Sequence, residues 1–355
     1  MELLVLNTDL ESVAVVDEYT SLIWTDRYSD YGDFELYTTI NDYLFRSLQP
    51  NYYLWSADSK HTMIIESREI SADSEDGKRL IVKGRSLESI LTRRIVWDAT
   101  TISGNLQDSV KKLLEENVIS PKDNKRKIPN FIFVPSDDPA ITKLTLDGQF
   151  VGCELFEAIK TICDAVSIGF QITLNDNNQF VFKLYAGTDR SYAQMDNPYV
   201  IFSPKFENII NSNYLETNET LKTVTLVAGE DDGTKQTFLT VERTDSGSGL
   251  DRREMYTDAR YVSSKTSDKT LTEEEYNALL KAKGDEDLAA NVTKRAFEGQ
   301  VEATHLFVFG EDFFMGDIVQ VANEEGIESK SRVIEMVFSI NDSGRDSYPT
   351  FEILE

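Results

Sequence analysis

The chain has 355 residues, 40% of them hydrophobic, which is enough for more than one buried core, so more than one domain is expected. It carries 62 acidic residues against 36 basic ones, a formal net charge of −26, and this balance excludes tight nucleic-acid binding through a phosphate-neutralising surface. The same acidity reads either as simple solubility or as a surface that repels DNA and lets it slide past. No run of about 18 apolar residues is present, and the first ten residues carry Glu2 and Asp9 where a signal peptide would have a basic start and an apolar run. The expectation is a soluble protein made in a cytosol.

From Leu3 onward the sequence alternates in the manner of strands, with short apolar runs at Leu4 to Leu6, Val13 to Val15 and Leu22 to Trp24. Residues 52–55, 61–70 and 79–84 continue the pattern. The acidic stretch 73–77 reads as a hairpin loop in which Gly77 supplies a positive φ. The period changes at Ser86, a candidate helix cap, after which Leu87, Ile90 and Leu91 fall on one face. A second helix is predicted over 105–117 on the stripe Leu106, Val110, Leu113 and Leu114, and a third over 153–166 on Leu155, Phe156, Ile159 and Ile162. Cys153 and Cys163, ten residues apart on that helix or its immediate start, are poorly placed to pair and read as buried free thiols. A hairpin over 169–174 and 179–185 follows. Strands resume at 223–228 and 235–241, with a soft linker at 246–249. An acidic helix is predicted over 272–299, with Thr272 and Glu275 in capping-box spacing and a break near Gly284. Strands at 305–309, 318–321 and 332–338 close the chain.

The residues for most chemistries are missing. The two histidines, His61 and His305, lie far apart and read as ordinary strand residues; no HExxH, CxxC, GxSxG or GxxxxGK[ST] pattern occurs. Acidic pairs such as Glu230 and Asp231 arise by chance in so acidic a chain and do not support a glycosidase, and the acidic loop 73–76 lacks the ligand spacing of a calcium site. The basic clusters Arg93-Arg94, 122–127 and Arg252-Arg253 are small and read as solvated faces or subunit contacts. No catalytic residue, metal or cofactor is expected.

Four segments carry a resemblance. Trp24-Thr-Asp-Arg-Tyr-Ser-Asp-Tyr-Gly-Asp-Phe-Glu-Leu-Tyr37, Lys83-Gly-Arg-Ser-Leu-Glu-Ser-Ile-Leu-Thr-Arg-Arg-Ile-Val96, Arg253-Glu-Met-Tyr-Thr-Asp-Ala-Arg260, and the pair 310–321 and 332–337 together resemble the siphophage tail-hub family, in order and over nearly the whole chain. The resemblance implies an α+β, mainly β fold, similar to the baseplate hub of contractile tails. Two small antiparallel β-barrel domains of the tube type would flank an α/β domain. The expected division is 1–95, which strands from 195–245 could complete, then 96–195, then 196–355 with a helical insertion at 272–299. The resemblance also implies a homotrimer around a channel, carrying no enzymatic activity. Its partners would be the distal tail protein, the tail tube and tape-measure proteins, and tip or receptor-binding proteins, with DNA passing through unbound and no stable membrane insertion. The location implied is the virion tail tip, after assembly in the host cytoplasm. Three copies would place −78, three times −26, around the axis that DNA traverses.

Gly32-Asp33 and Gly316-Asp317 both stand before a strand, where glycine takes a positive φ and aspartate bonds nearby backbone. Arg93 and Arg94, with Arg85 upstream in the same motif, are candidates for interdomain or intersubunit pairing, since the guanidinium fork suits a carboxylate. Two other classes of function compete: a tail-associated peptidoglycan hydrolase, which would need a pocket with convergent acid and base groups, and a carbohydrate- or receptor-binding module, which would need an exposed aromatic platform.

Overall fold

A computed structural model describes residues 1–355 apart from 74–76, 232–234, 266–269, 302–305, 324, 327 and 355. The first seven strands are β1 (Leu3–Leu6), β2 (Ser12–Val16), β3 (Ser21–Arg27), β4 (Asp33–Thr39), β5 (Tyr53–Trp55), β6 (Met63–Asp73) and β7 (Gly77–Ser86). Their alternation sends Leu22, Trp24, Phe34, Leu36, Leu80 and Val82 inward, each almost fully buried, and leaves Ile23, Glu35 and Lys83 on the opposite face. Gly77 has φ +74°, as the turn between β6 and β7 requires. A short helix, α1 (Asp42–Ser47), bridges β4 and β5; the Asn41 side chain caps it by accepting from the Leu44 N–H at 2.7 Å.

The chain then leaves this sheet. Residues Leu87–Arg93 form a 3₁₀ turn instead of the expected α-helix, because the Ser86 hydroxyl is taken up by Glu88 and by the Gly32 N–H and does not cap. Next come β8 (Thr100–Ile102), α2 (Leu106–Leu114) capped by Asn105, β9 (Phe131–Phe133), α3 (Pro139–Thr142), β10 (Gly148–Phe150), α4 (Leu155–Ala165), β11 (Gly169–Leu174) and β12 (Phe180–Tyr185). The predicted stripes of α2 and α4 pack on the β11–β12 hairpin around Phe156, Phe170 and Phe182, forming a second core. Cys163 lies inside it and Cys153 is half-buried; both are free thiols.

The remaining elements are β13 (Ile201–Phe202), β14 (Ile209–Thr217), β15 (Val224–Asp231), β16 (Gln236–Glu242), β17 (Glu254–Asp258), α5 (Glu273–Ala290), β18 (Lys294–Val301), β19 (Ile318–Ala322), β20 (Glu328–Asn341) and β21 (Gly344–Ile353). The helix α5 starts with the expected capping box: Glu275 N–H donates to Thr272 Oγ1 at 3.2 Å, and Thr272 N–H to the Glu275 carboxylate at 2.9 Å. It departs from expectation in two ways. It passes through Gly284 unbroken, and it ends at Asn291, so that residues 294–301 form a strand between β14 and β21. Phe297, buried in the main core, holds that strand in place. Gly284 is required by close packing, since a Cβ there would lie 2.7 Å from Val241 and 2.8 Å from Val227. With β15, β16 and β17 the helix encloses a third, smaller core. Residues 306–309 do not form the predicted strand, and His305 lies outside the described residues.

The mainly β, α+β class holds, but the strands of the two chain ends do not close as separate barrels. They pair into one open sheet of 13 strands, running β14, β18, β21, β20, β3, β4, β7, β6, β5, β1, β2, with β19 and β13 branching from β20. The join is β20 against β3, seven registered pairs from Glu335 opposite Arg27 to Asn341 opposite Ser21. One core serves both halves, with Trp24 and Phe34 in the same cluster as Phe338 and Phe351. Pairing across the join satisfies backbone groups that two separate units would leave at exposed edges.

Candidate functional site

Three of the residues singled out in the sequence meet at one corner of the central sheet. Asp33 and Arg85 are cross-strand partners on β4 and β7, and Gly32 precedes them. Gly32 does not adopt the positive φ expected; it is needed because a Cβ would fall 2.1 Å from the Thr25 carbonyl oxygen. Asp33 bonds side chains: Arg27 Nη1 donates to it at 2.6 Å, and Arg27 Nε donates to Glu335 at 2.7 Å. Arg85 takes both oxygens of Glu66, at 2.7 and 2.8 Å, and lies over the Tyr31 ring at 4.8 Å. With Lys83 on Glu35 at 2.6 Å, the outer face of the sheet carries a ladder of neutralised charge pairs. These groups are partly exposed, so solvent screens each pair and none contributes much to stability. The ladder sets the character of the face, which is locally balanced in a strongly acidic chain.

Gly316 and Asp317 lie at a second junction, where the α/β part meets both chain ends. Gly316 has the expected positive φ, +87°, and a Cβ there would meet the Tyr28 ring at 2.2 Å. The ring of Tyr28, on the loop after β3, is also crowded by Gly169 at the start of β11 and packs edge-on against Tyr185 at 5.2 Å. Asp317 is buried and accepts from the Thr188 N–H at 2.7 Å, the Phe314 N–H at 3.1 Å and Arg190 Nε at 2.7 Å. It thereby fastens the segment leaving β12 to the start of β19.

Arg93 and Arg94 do not join either group. Arg93 is exposed. Arg94 donates to the carbonyls of Arg126 at 2.8 Å and Arg93 at 2.9 Å, and neither arginine has a carboxylate within salt-bridge distance among the described residues. Burial and the neighbouring Arg126 and Arg93 charges lower the Arg94 pKa.

A buried charge cluster escaped the sequence reading. His61, just before β6, is buried with Glu88 and Asp26. Its Nδ1 lies 3.3 Å from Glu88 Oε1, a charge contact without good hydrogen-bond alignment. Glu88 also accepts from the Ser86 hydroxyl and from the Ile172 N–H at 2.7 Å, while Asp26 accepts from Trp24 Nε1 at 2.9 Å and from Ser59. His61 is pushed up to about 9: desolvation by burial opposes the charge, but the Glu88 and Asp26 carboxylates outweigh it. Glu88 is held below the usual carboxylate range, burial working against it and His61 prevailing, whereas burial raises Asp26. An acid, a base and a second acid within contact could move a proton, but all three are sealed from solvent. Here they pin β11 of the second core to the edge of the first. The one signal in the sequence was Glu88 itself, a charge between Leu87 and Ile90 on a face otherwise destined for burial.

This architecture is that of phage tail proteins. The chain is similar to the tail protein from Neisseria meningitidis MC58, with 13% identity, a TM-score of 0.55, and 99% of this chain and 95% of that chain covered. It is similar to the prophage MuSo2 43 kDa tail protein from Shewanella oneidensis, with 11% identity, a TM-score of 0.58 and coverage of 99% and 98%. It is similar too to prophage tail protein gp18 from Listeria monocytogenes EGD-e, with 13% identity, a TM-score of 0.53 and coverage of 99% and 94%. No curated protein matches the chain. The chain belongs to the family described as Siphovirus ReqiPepy6 Gp37-like protein, which matches residues 2–351.

Proposed function

We propose that this phage tail protein is a structural hub subunit, which trimerises at the distal end of the tail tube and leaves a channel for DNA. The observation that carries the reading is the β3–β20 join, which makes the two chain ends one sheet whose terminal strands, β2 and β14, are each paired on one side only among the described residues. Two different free edges on one subunit suit head-to-tail contacts that close as a ring. The β2 edge adds exposed Val13 and Val15, which a neighbouring subunit would cover. The hub role, the attachment to the distal tail protein, tail tube, tape-measure and tip or receptor-binding proteins, and the tail-tip location extend the family resemblance. Assembly would take place in the host cytoplasm. The division into a first tube domain (1–95), an α/β domain (96–195) and a second tube domain (196–355) belongs to the same proposal. So do the acidic channel and the absence of catalysis: among the described residues, the acid–base cluster of His61, Glu88 and Asp26 is closed to substrate. Electron microscopy of the chain with the distal tail protein is the test. A threefold ring with an open axis is expected, and particles without rotational symmetry would count against the hub.

A further inference from the structure

The three cores meet around an open cleft of about 1310 Å³. Its lining includes Arg332 on β20 and Glu352 on β21, which face each other in register, Lys160 on α4, and the exposed Arg253 and Lys294. Eight basic and eight acidic residues line it, whereas the chain as a whole carries 36 and 62, so the cleft gathers cations that the rest of the surface lacks. Several of these charges neutralise one another, as Lys160 does with Asp164 at 3.4 Å and Arg27 with Glu335 at 2.7 Å.

Arg332 is different. It is only 8% exposed, yet among the described residues no carboxylate lies within salt-bridge distance of it. Nη1 donates to the Tyr28 hydroxyl at 3.1 Å and the Gly316 carbonyl at 3.2 Å, and the guanidinium stands 5.0 Å from the Tyr28 ring centre. These contacts fix its plane. Nε, fully enclosed, has no acceptor, and none is recorded for Nη2 among the described residues. Nε is thereby sealed off, which leaves Nη2 as the charge-assisted donor that an incoming carboxylate can meet. Glu352, its cross-strand partner, feels the Arg332 charge but makes no hydrogen bond or salt bridge to it among the described residues; burial holds its carboxyl above the usual range although Arg332 pulls it down.

We infer that the cleft receives an acidic segment of a partner protein, whose leading carboxylate accepts from Nη2 of Arg332 while Arg253 and Lys294 attract the residues that follow. A peptide fits better than a nucleic acid: a continuous polyphosphate would meet eight acidic side chains along the walls, whereas a peptide can set one carboxylate on Nη2 of Arg332 and hydrogen-bond donors beside the acids.

The test is calorimetry of the full chain with a peptide of alternating glutamate and serine, and with its glutamine counterpart. The glutamate peptide binds, binding weakens with salt, and Arg332→Lys, which keeps the charge and loses the guanidinium donor held in place by Tyr28 and Gly316, costs about tenfold in affinity, the equivalent of one charge-assisted hydrogen bond. Because Arg332 is buried, the double variant Arg253→Gln/Lys294→Gln, at exposed positions, provides a second reading and is expected to weaken binding with the fold intact. Three results overturn the inference: no binding, equal binding of the glutamine peptide, or an unchanged affinity in the double variant. Displacement of the peptide by inorganic phosphate with the same Arg332 dependence would overturn it in favour of a phosphate ligand.

Discussion

Glu88 is a carboxylate with no access to water, and its charge is tolerable only because His61, the Ser86 hydroxyl and the Ile172 N–H converge on it. Glu88→Gln is therefore expected to lower stability by about 3–5 kcal/mol, the cost of leaving one member of a buried pair alone, read as a fall in the urea midpoint. The pH dependence follows from the same contacts. His61 has its folded pKa raised to about 9 from 6.5, so its contribution is fully present below pH 6.5 and is lost as pH rises through 9. Glu88, held low, contributes above its ordinary range and loses that contribution as pH falls through its folded pKa; Asp26, held high, has the opposite slope there, so the acid limb is a difference of two effects. The alkaline limb gives the clearer reading. The melting temperature is expected to drop between pH 6.5 and 9 in the native chain and to change much less in His61→Gln. Beyond the charge of Glu88 on an otherwise apolar face, this cluster was not legible in the sequence, where His61, Glu88 and Asp26 are separated and two of them sit among dozens of other acids. The glycines were half legible: Gly316 takes the conformation its turn implied, while the need for Gly32 comes from a carbonyl on the neighbouring strand.

At the scale of elements, α5 sets helix propensity against packing. Replacing Gly284 with alanine would add about 1 kcal/mol of intrinsic helix stability. The new Cβ, however, would press on Val227 and Val241 in the third core, and overpacking of that kind costs about 1–3 kcal/mol. Gly284→Ala is expected to be destabilising in urea unfolding, and Gly284→Ala/Val241→Ala to recover part of the loss; a stabilised single variant would show that the helix can shift. The helices α2 and α4 and the strand pattern of the first 85 residues were legible because their apolar spacing is regular, and α5 through its capping box, whereas the short α1 and α3 were not foreseen. The strand at 294–301 was missed because it follows an acidic helix with only Asn291 to stop it, and is fixed by Phe297 in a core whose members come from both ends of the chain, from Leu3 to Phe351. The edge strand β2 carries its own prediction: Val13→Lys/Val15→Lys should leave the melting temperature within about 3 °C of the native value, since both side chains are exposed, and should weaken self-association.

For the molecule as a whole, three of the four sequence segments that carried the family resemblance turn out to be joints of the architecture. The segment from Trp24 to Tyr37 supplies β3, the Tyr28 pivot and β4; the one around Gly316 closes on Tyr28; and the one after Lys83 carries Glu88 to the second core. The order of the elements could be read from the pattern of residues, but the fusion of both ends into one open sheet could not, because pairing between residues about 310 apart leaves no local trace. That fusion is what makes the chain a candidate ring segment, and assembly is the claim on which the account stands or falls. The direct test is the mass in solution by light scattering, for the chain alone and mixed with the distal tail protein. The account predicts a particle of three chains, three times 40.3 kDa, either alone or on mixing, and its loss in Val13→Lys/Val15→Lys. A single 40.3 kDa species in both conditions would contradict it.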